Sequence, residues 1–261
     1  MFKIPLIFLI SLSAGQCSMK GTPYSPSSQM IVVKSDGWES IKAKISLYEK
    51  DNQNQWIKFG EDIPAVLGKN GFGWGRGIFS PEDVKNNTYR QEGDKRAPAG
   101  IFTIGNVFGI EEHHSAQKRL NLKMPYVFLN ETMQCVGEGK SKYYNQIVDT
   151  SKVEKDWDND KNNEMMRYEG LRDEQAYKWG IFINNNSDLN PDKNMQRDKN
   201  AGSCIFIHIW KNEDTGTAGC TAIKTKDIEK IISWLDVRKK PLITQLPQAE
   251  YNRLKDKWNL P

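Results

Sequence analysis

The stretch GSCIFIHIWKNEDTGTAGCTAI, residues 202–223, decides how the rest of the chain is read. Its first half, 204–210, is β-branched and aromatic and carries no formal charge, so it reads as a strand buried on both faces. Period two places Phe206, His208 and Trp210 on one face and Ile205, Ile207 and Ile209 on the other. Residues 211–216 are turn-rich. Thr217-Ala218-Gly219-Cys220 then brings the chain back, with two small residues just before a sulfur, where backbone can approach closely.

A cysteine attacks as thiolate, and a free thiol with a pKa of roughly 8.5 is little ionised at neutral pH unless a base takes its proton. His208 is the obvious base for Cys220. The other histidines, His113 and His114, adjoin each other in a charged segment and suit a solvated surface. The same pair of residues also fits a core histidine satisfied by a backbone carbonyl and an inert buried thiol, and the chemistry alone leaves both readings open.

Three motifs in order carry a resemblance. Ile207-His208 followed by Thr217-x-Gly219-Cys220 is similar to the signature of the L,D-transpeptidase (YkuD-like) catalytic domain. Upstream, GDKRAPAGIFTIGNVFG at 93–109 resembles the Gly-Asp-x-x-x-Pro-x-Gly-x-Phe element that leads into a core strand of that family. Downstream, Cys220-Thr-Ala-Ile-Lys, a helical segment and LITQLP match a long-loop subgroup, so the resemblance spans roughly residues 63–261. Ile209 and Ala222 depart from it, standing where many members carry Gly or Ser and Arg.

The resemblance implies a mainly β (α+β) fold, a mixed β-sandwich of the L,D-transpeptidase type with a few covering helices. It implies a cysteine acyltransferase acting on peptidoglycan stem peptides, with Cys220 as nucleophile, His208 as base, and backbone N–H groups of Gly219 and Cys220 as oxyanion donors. No metal or organic cofactor is needed. Thr217, Trp210, Tyr144 and Arg96 are expected to line the donor cleft, with only Thr217 matched to the signature. An amine acceptor makes the enzyme a transpeptidase, and water makes it an L,D-carboxypeptidase. A non-catalytic peptidoglycan-binding envelope protein is the rival from another class.

Composition bounds these readings. The 261 residues carry a net charge of +4 from 37 basic and 33 acidic side chains, with no basic block of the kind a nucleic acid requires. A mean hydropathy of -0.69 excludes a polytopic membrane protein. Three histidines, two of them adjacent and none in a His-Glu-x-x-His motif, make a poor metal set. Asp156-x-Asp158-x-Asp160 fails as a calcium loop because Lys161 and Arg167 replace the required Gly and Glu, so it reads as a solvated acidic turn.

At the amino terminus, Lys3, an apolar run over 4–12 and Ser13-Ala14-Gly15 have the pattern of a signal peptide, 1–16, too short for a permanent span. The expectation is export to the periplasm or cell envelope, with a flexible tether at 17–29 and a single catalytic domain at 30–261. Cys17 raises membrane anchoring by acylation, although Ala14-Gly15-Gln16 lacks lipobox order. Export permits disulfides. With Cys17 terminal and Cys220 kept free for attack, Cys135 and Cys204 are expected to pair, the alternative being two buried free thiols.

Along the chain, 30–34 and the alternating Ile41, Ala43, Ile45 and Leu47 predict strands, with further strands at 56–59 and 63–67. Gly71, Gly73, Gly75 and Gly77, spaced by aromatics and Arg76, predict either a cleft lining or a tight strand with close backbone approach. Residues 110–200 read as a long polar insertion bearing selectivity, with helical spacing over 165–179. Ile228, Ile231, Ile232 and Leu235 predict an amphipathic helix, 242–246 a last strand, and Tyr251, Leu254 and Trp258 a docked terminal helix.

Overall fold

The computed structural model describes residues 26–84, 89–158, 163–172, 175–188 and 197–261. The segments expected to be a signal peptide and most of the tether, with Cys17, and also Asp160 with Lys161, lie outside the described residues. The protein is mainly β with a few helices, as the sequence implied.

The first layer is built from β1 (Gln29–Ser35), β2 (Lys42–Lys50) and β3 (Trp56–Val66). β2 runs antiparallel to both neighbours, and its alternation buries Ala43, Ile45 and Leu47 while Lys42 and Lys44 stay exposed. The two strands expected at 56–59 and 63–67 are one strand, because the register shift opposite Ile45 and Leu47 and the left-handed Gly60 (φ +70°) absorb the interruption as a bulge. Gln29, expected in the tether, already opens β1, and Ser28 is tied down beside it: Ser28 N–H donates to Lys239 O at 2.9 Å and Gln29 Nε2 to Trp234 O at 2.9 Å.

β4 (Phe72–Trp74) pairs in parallel with the start of β5 (Ala97–Gly109). The glycine run is therefore the tight strand rather than a cleft lining. A Cβ on Gly71 would lie 2.0 Å from Trp38 O, and one on Gly77 2.2 Å from Ile101 O.

β5 is the strand that closes the architecture. Residues 100–103 pair with β13 (Leu242–Pro247) and 104–109 with β10 (Trp179–Ile183), so one long strand passes from one layer of the sandwich to the other. β10 continues through β11 (Phe206–Ile209) and β12 (Thr221–Ile223) to β3, and β13 lies beside β1. The two layers are thus joined at both edges into one continuous sheet.

Within 110–178 lie α1 (His113–Leu120), β6 (Tyr126–Phe128), β7 (Met133–Cys135), β8 (Ile147–Asp149), β9 (Glu164–Met165) and α2 (Met166–Leu171). β7, β8 and β9 form a separate three-stranded sheet. The helix expected over 165–179 is only the six-residue α2, with Tyr168 and Leu171 exposed, and Trp179 opens a core strand instead. His113 and His114 lie exposed at the start of α1. α3 (Thr225–Trp234) buries Ile228, Ile231, Ile232 and Trp234, and α4 (Gln248–Leu254) buries Tyr251 and Leu254. Trp258 is buried beyond α4.

Candidate active site

The site forms where β11 and β12 run parallel, with His208 level with Ala222 and Ile207 level with Thr221. Cys220 precedes β12 and so stands level with Phe206, whose N–H donates to Cys220 Sγ at 3.3 Å. The thiol lies 3.6 Å from Cys204 O, its acceptor. Cys220 and His208 are two residues apart along neighbouring strands, which places their Cα atoms about 8 Å apart from the ordinary strand spacing and rise. No hydrogen bond joins the two side chains among the described residues, a looseness common in resting sites.

His208 Nδ1 donates to Ile209 O at 2.8 Å, which assigns the proton to Nδ1 and leaves Nε2 as the basic nitrogen. Tyr177 packs edge-on against both Phe206 and His208, at ring separations of 5.3 and 5.4 Å, and its hydroxyl donates to the Glu164 carboxylate. Burial pushes the Cys220 thiol up to about 12, with Glu164 adding to the shift while the Phe206 N–H and Arg90 oppose it. Burial also holds His208 down to about 4. Glu164 is raised to about 7 by burial, against the Tyr177 hydrogen bond. The resting pair is thiol and neutral imidazole.

The turn before the nucleophile is pinned to the residues that follow β3. Lys69 N–H donates to Thr217 O and Thr217 N–H to Leu67 O, both at 2.9 Å. Thr217 Oγ1 accepts the Gly219 N–H at 3.0 Å and donates to Cys220 O at 2.6 Å. Gly219 has φ +149°, and a Cβ there would meet Arg96 O at 3.2 Å. Thr217 therefore holds the Gly219 N–H, one of the two expected oxyanion donors, while the Cys220 N–H has no acceptor among the described residues.

The other expected residues distribute unevenly. Trp210 follows β11, its N–H on Ile223 O at 2.9 Å and its ring under Lys224 Nζ at 5.7 Å. Tyr144 is buried, its hydroxyl 3.4 Å from Glu92 Oε2, which also accepts Ser203 Oγ at 2.9 Å. Arg96 does not bring its side chain to Cys220: the guanidinium grips Glu39 with two contacts of 3.1 Å and donates to Phe72 O at 2.8 Å. Only its backbone carbonyl reaches Gly219.

Cys135 and Cys204 are disulfide-bonded, with Cα atoms 6.0 Å apart, and Cys220 is free. The bridge ties β7 to the residue whose carbonyl faces the Cys220 thiol. Asn145 completes the tie, with Oδ1 accepting the Cys204 N–H at 2.9 Å and Nδ2 donating to the carbonyls of Asn185 and Asn186. A cavity of about 440 Å³ opens beside Asn145, lined also by Asn184, Asn186 and Arg197, and neither Cys220 nor His208 borders it.

Sequence reasoning missed Tyr177, Glu164 and Arg90. Tyr177 had a signal: Trp179-Gly-Ile-Phe-Ile is a short apolar run, and reading it as a strand puts Tyr177 in the turn before it rather than on a helix. Glu164 and Arg90 sit in polar stretches with no local signal. Among the described residues no group of three or more His, Cys, Asp or Glu is arranged to hold a metal ion.

A mainly β domain that carries a histidine on one strand and a free cysteine just before the parallel strand beside it defines a class of thiol-bearing sheet sites. The chain belongs to the L,D-transpeptidase catalytic domain family (YkuD), whose model matches residues 40–243. That membership assigns an L,D-transpeptidase type of enzyme, a transferase acting on peptidoglycan stem peptides. No curated protein matches the chain.

Proposed function

We propose that the protein is an exported L,D-transpeptidase that works through a Cys220 thioester. The observation that carries this reading is the turn Thr217 to Cys220, which presents a free thiol on the same sheet as an imidazole whose Nε2 is unprotonated. In the reaction, His208 Nε2 takes the Cys220 proton as Sγ bonds to the carbonyl between the diamino acid and the terminal D-Ala of the donor stem. The Cys220 N–H faces the oxyanion. The C–N bond breaks, the imidazolium returns the proton to the leaving D-Ala amine, and the thioester remains. A side-chain amine of a second stem then attacks the thioester carbonyl and loses its proton to His208; the C–S bond breaks, and the imidazolium returns the proton to the leaving Cys220 sulfur, which regenerates thiol and neutral imidazole.

Because both groups rest neutral, proton transfer within the site, rather than a standing thiolate, is the expected route. Export is supported by the amino-terminal pattern and by the Cys135–Cys204 bridge, since disulfides persist in oxidising compartments. The test is mass spectrometry of products from purified disaccharide-tetrapeptide, using the mature protein and Cys220→Ala. A cross-linked dimer lacking one D-Ala establishes transpeptidation, and tripeptide alone makes the enzyme a carboxypeptidase. The same products from Cys220→Ala would remove the thioester mechanism.

A further inference from the structure

The steps above leave one buried cation beside the nucleophile unused. Arg90 is 4% exposed and follows Tyr89, which bridges to Trp74 of β4. Its guanidinium occupies room left by two glycines. A Cβ on Gly202 would sit 2.5 Å from Arg90 Cζ, and one on Gly219 would sit 3.4 Å from Nη2. Gly219 is the residue before Cys220, so this fixed positive charge borders the turn that carries the sulfur.

The guanidinium is only partly matched by the protein. Nε and Nη1 are buried and have no hydrogen-bond partner among the described residues. The carboxylate paired with it, Asp94, stands 3.7 Å away from Nη2, beyond hydrogen-bond length. Asp94 is already committed to the backbone N–H groups of Gln91 and Arg96, at 2.8 and 2.9 Å. Glu92 is held by Ser203 and Tyr144 instead. A planar, permanently charged group with unmade donors is costly to keep in a dry place, and its complement is a carboxylate.

We infer that Arg90 is a specificity-determining residue, an anion subsite that takes a carboxylate of the donor stem and so sets the scissile carbonyl against Cys220. The inference rests on the proposed reaction for the identity of the donor. Two carboxylates of a stem have the right chemistry: that of the terminal D-residue and the free carboxylate of the diamino acid.

The test separates Arg90 from the reaction itself. Alkylation of Cys220 in the mature, disulfide-intact protein is followed by mass with iodoacetate, which bears a carboxylate, and with neutral iodoacetamide. The ratio of the two rates cancels thiolate abundance and reads the anion subsite alone. Relative to N-acetylcysteine, the wild-type ratio is expected to favour iodoacetate by about tenfold, the worth of one charge-assisted contact. Arg90→Gln is expected to lose that preference and Arg90→Lys to keep part of it. With donors amidated at one carboxylate or the other, KM of the wild type rises for the carboxylate that Arg90 holds. Arg90→Gln raises KM for the unmodified donor equally and no longer senses that amidation.

A wild-type ratio equal to that of N-acetylcysteine overturns the subsite, and this measurement needs no variant to fold. So does a folded Arg90→Gln protein with unchanged ratio and KM. If the wild type converts no donor while the alkylation preference stands, the proposed reaction fails and the anion subsite survives.

Discussion

At the scale of single residues, two buried titrating groups meet through one tyrosine. His208 is held from its ordinary 6.5 to about 4, so the folded state binds fewer protons than the unfolded chain between those values. Its contribution is present above pH 6.5 and is lost as pH falls towards 4. Glu164 is raised from 4.5 to about 7, so its contribution is present below 4.5 and is lost as pH rises through 7. At 1.36 kcal/mol per pKa unit each amounts to at most about 3 kcal/mol, reduced because both residues keep some exposed surface. The two slopes oppose, and the wild type is expected to be nearly flat between pH 4.5 and 6.5. His208→Gln is expected to lose stability as pH rises over that window, and Glu164→Gln to gain it. Urea midpoints for both variants at the two pH values check this, and slopes of the same sign would refute it. His208 and Cys220 were legible because their chemistry lies within one short stretch of chain. Glu164, from a distant two-residue strand, and Arg90, from a charged loop, were not: they reach the site only through tertiary packing. Arg96 misled for the opposite reason, since its motif position is right but Glu39, far away in sequence, holds its side chain.

At the scale of elements, the Cys135–Cys204 bridge joins the small β7 to β9 sheet to the segment leading into β11. Its partners are 69 residues apart, and closing a loop of that length in the unfolded chain corresponds to about 4 kcal/mol. Cys135→Ser with Cys204→Ser is therefore expected to lower unfolding free energy by about 4 kcal/mol and to slow turnover, because Cys204 O faces the Cys220 thiol. Urea unfolding beside an activity assay measures both. A double variant within about 1 kcal/mol of the wild type and fully active would separate the bridge from the site. The strands of the first layer were readable from alternation, since each has one face on the core. The interval 165–179 was not. Its apolar spacing suits a helix locally, yet pairing of Trp179 to Ile183 with both β5 and β11 draws those residues into the sheet, and Gly180 lets the Phe108 ring lie against the backbone, where a Cβ would be 2.0 Å from it.

At the scale of the whole molecule, the sheet is continuous because β5 serves both layers, and the C-terminal segment seals one side of it. Tyr251, Leu254, Trp258 and Leu260 are buried, and the Trp258 ring packs at a tilt against Phe79 with ring centroids 5.2 Å apart. The polar lock on that seal is Asp83, 3% exposed, in the short 3-10 turn Pro81–Asp83. Its Oδ2 accepts Trp258 Nε1 at 2.9 Å, Lys257 donates to Oδ1, and Arg253 Nη2 donates to its backbone oxygen at 2.7 Å. Residues 175 positions apart thus share one buried carboxylate. Asp83→Ala strands the indole N–H away from water, at a cost of about 2 kcal/mol. Lys257 remains largely solvated and adds little. Trp258→Phe removes the donor along with part of the apolar contact. Once the indole N–H is gone, Asp83→Ala has less left to lose, so the double variant is expected to fall short of the sum of the singles by about 1 kcal/mol or more. A urea double-mutant cycle measures this, and strict additivity would mean that burial of the tail, and not the Asp83 lock, holds the C-terminus on the sheet.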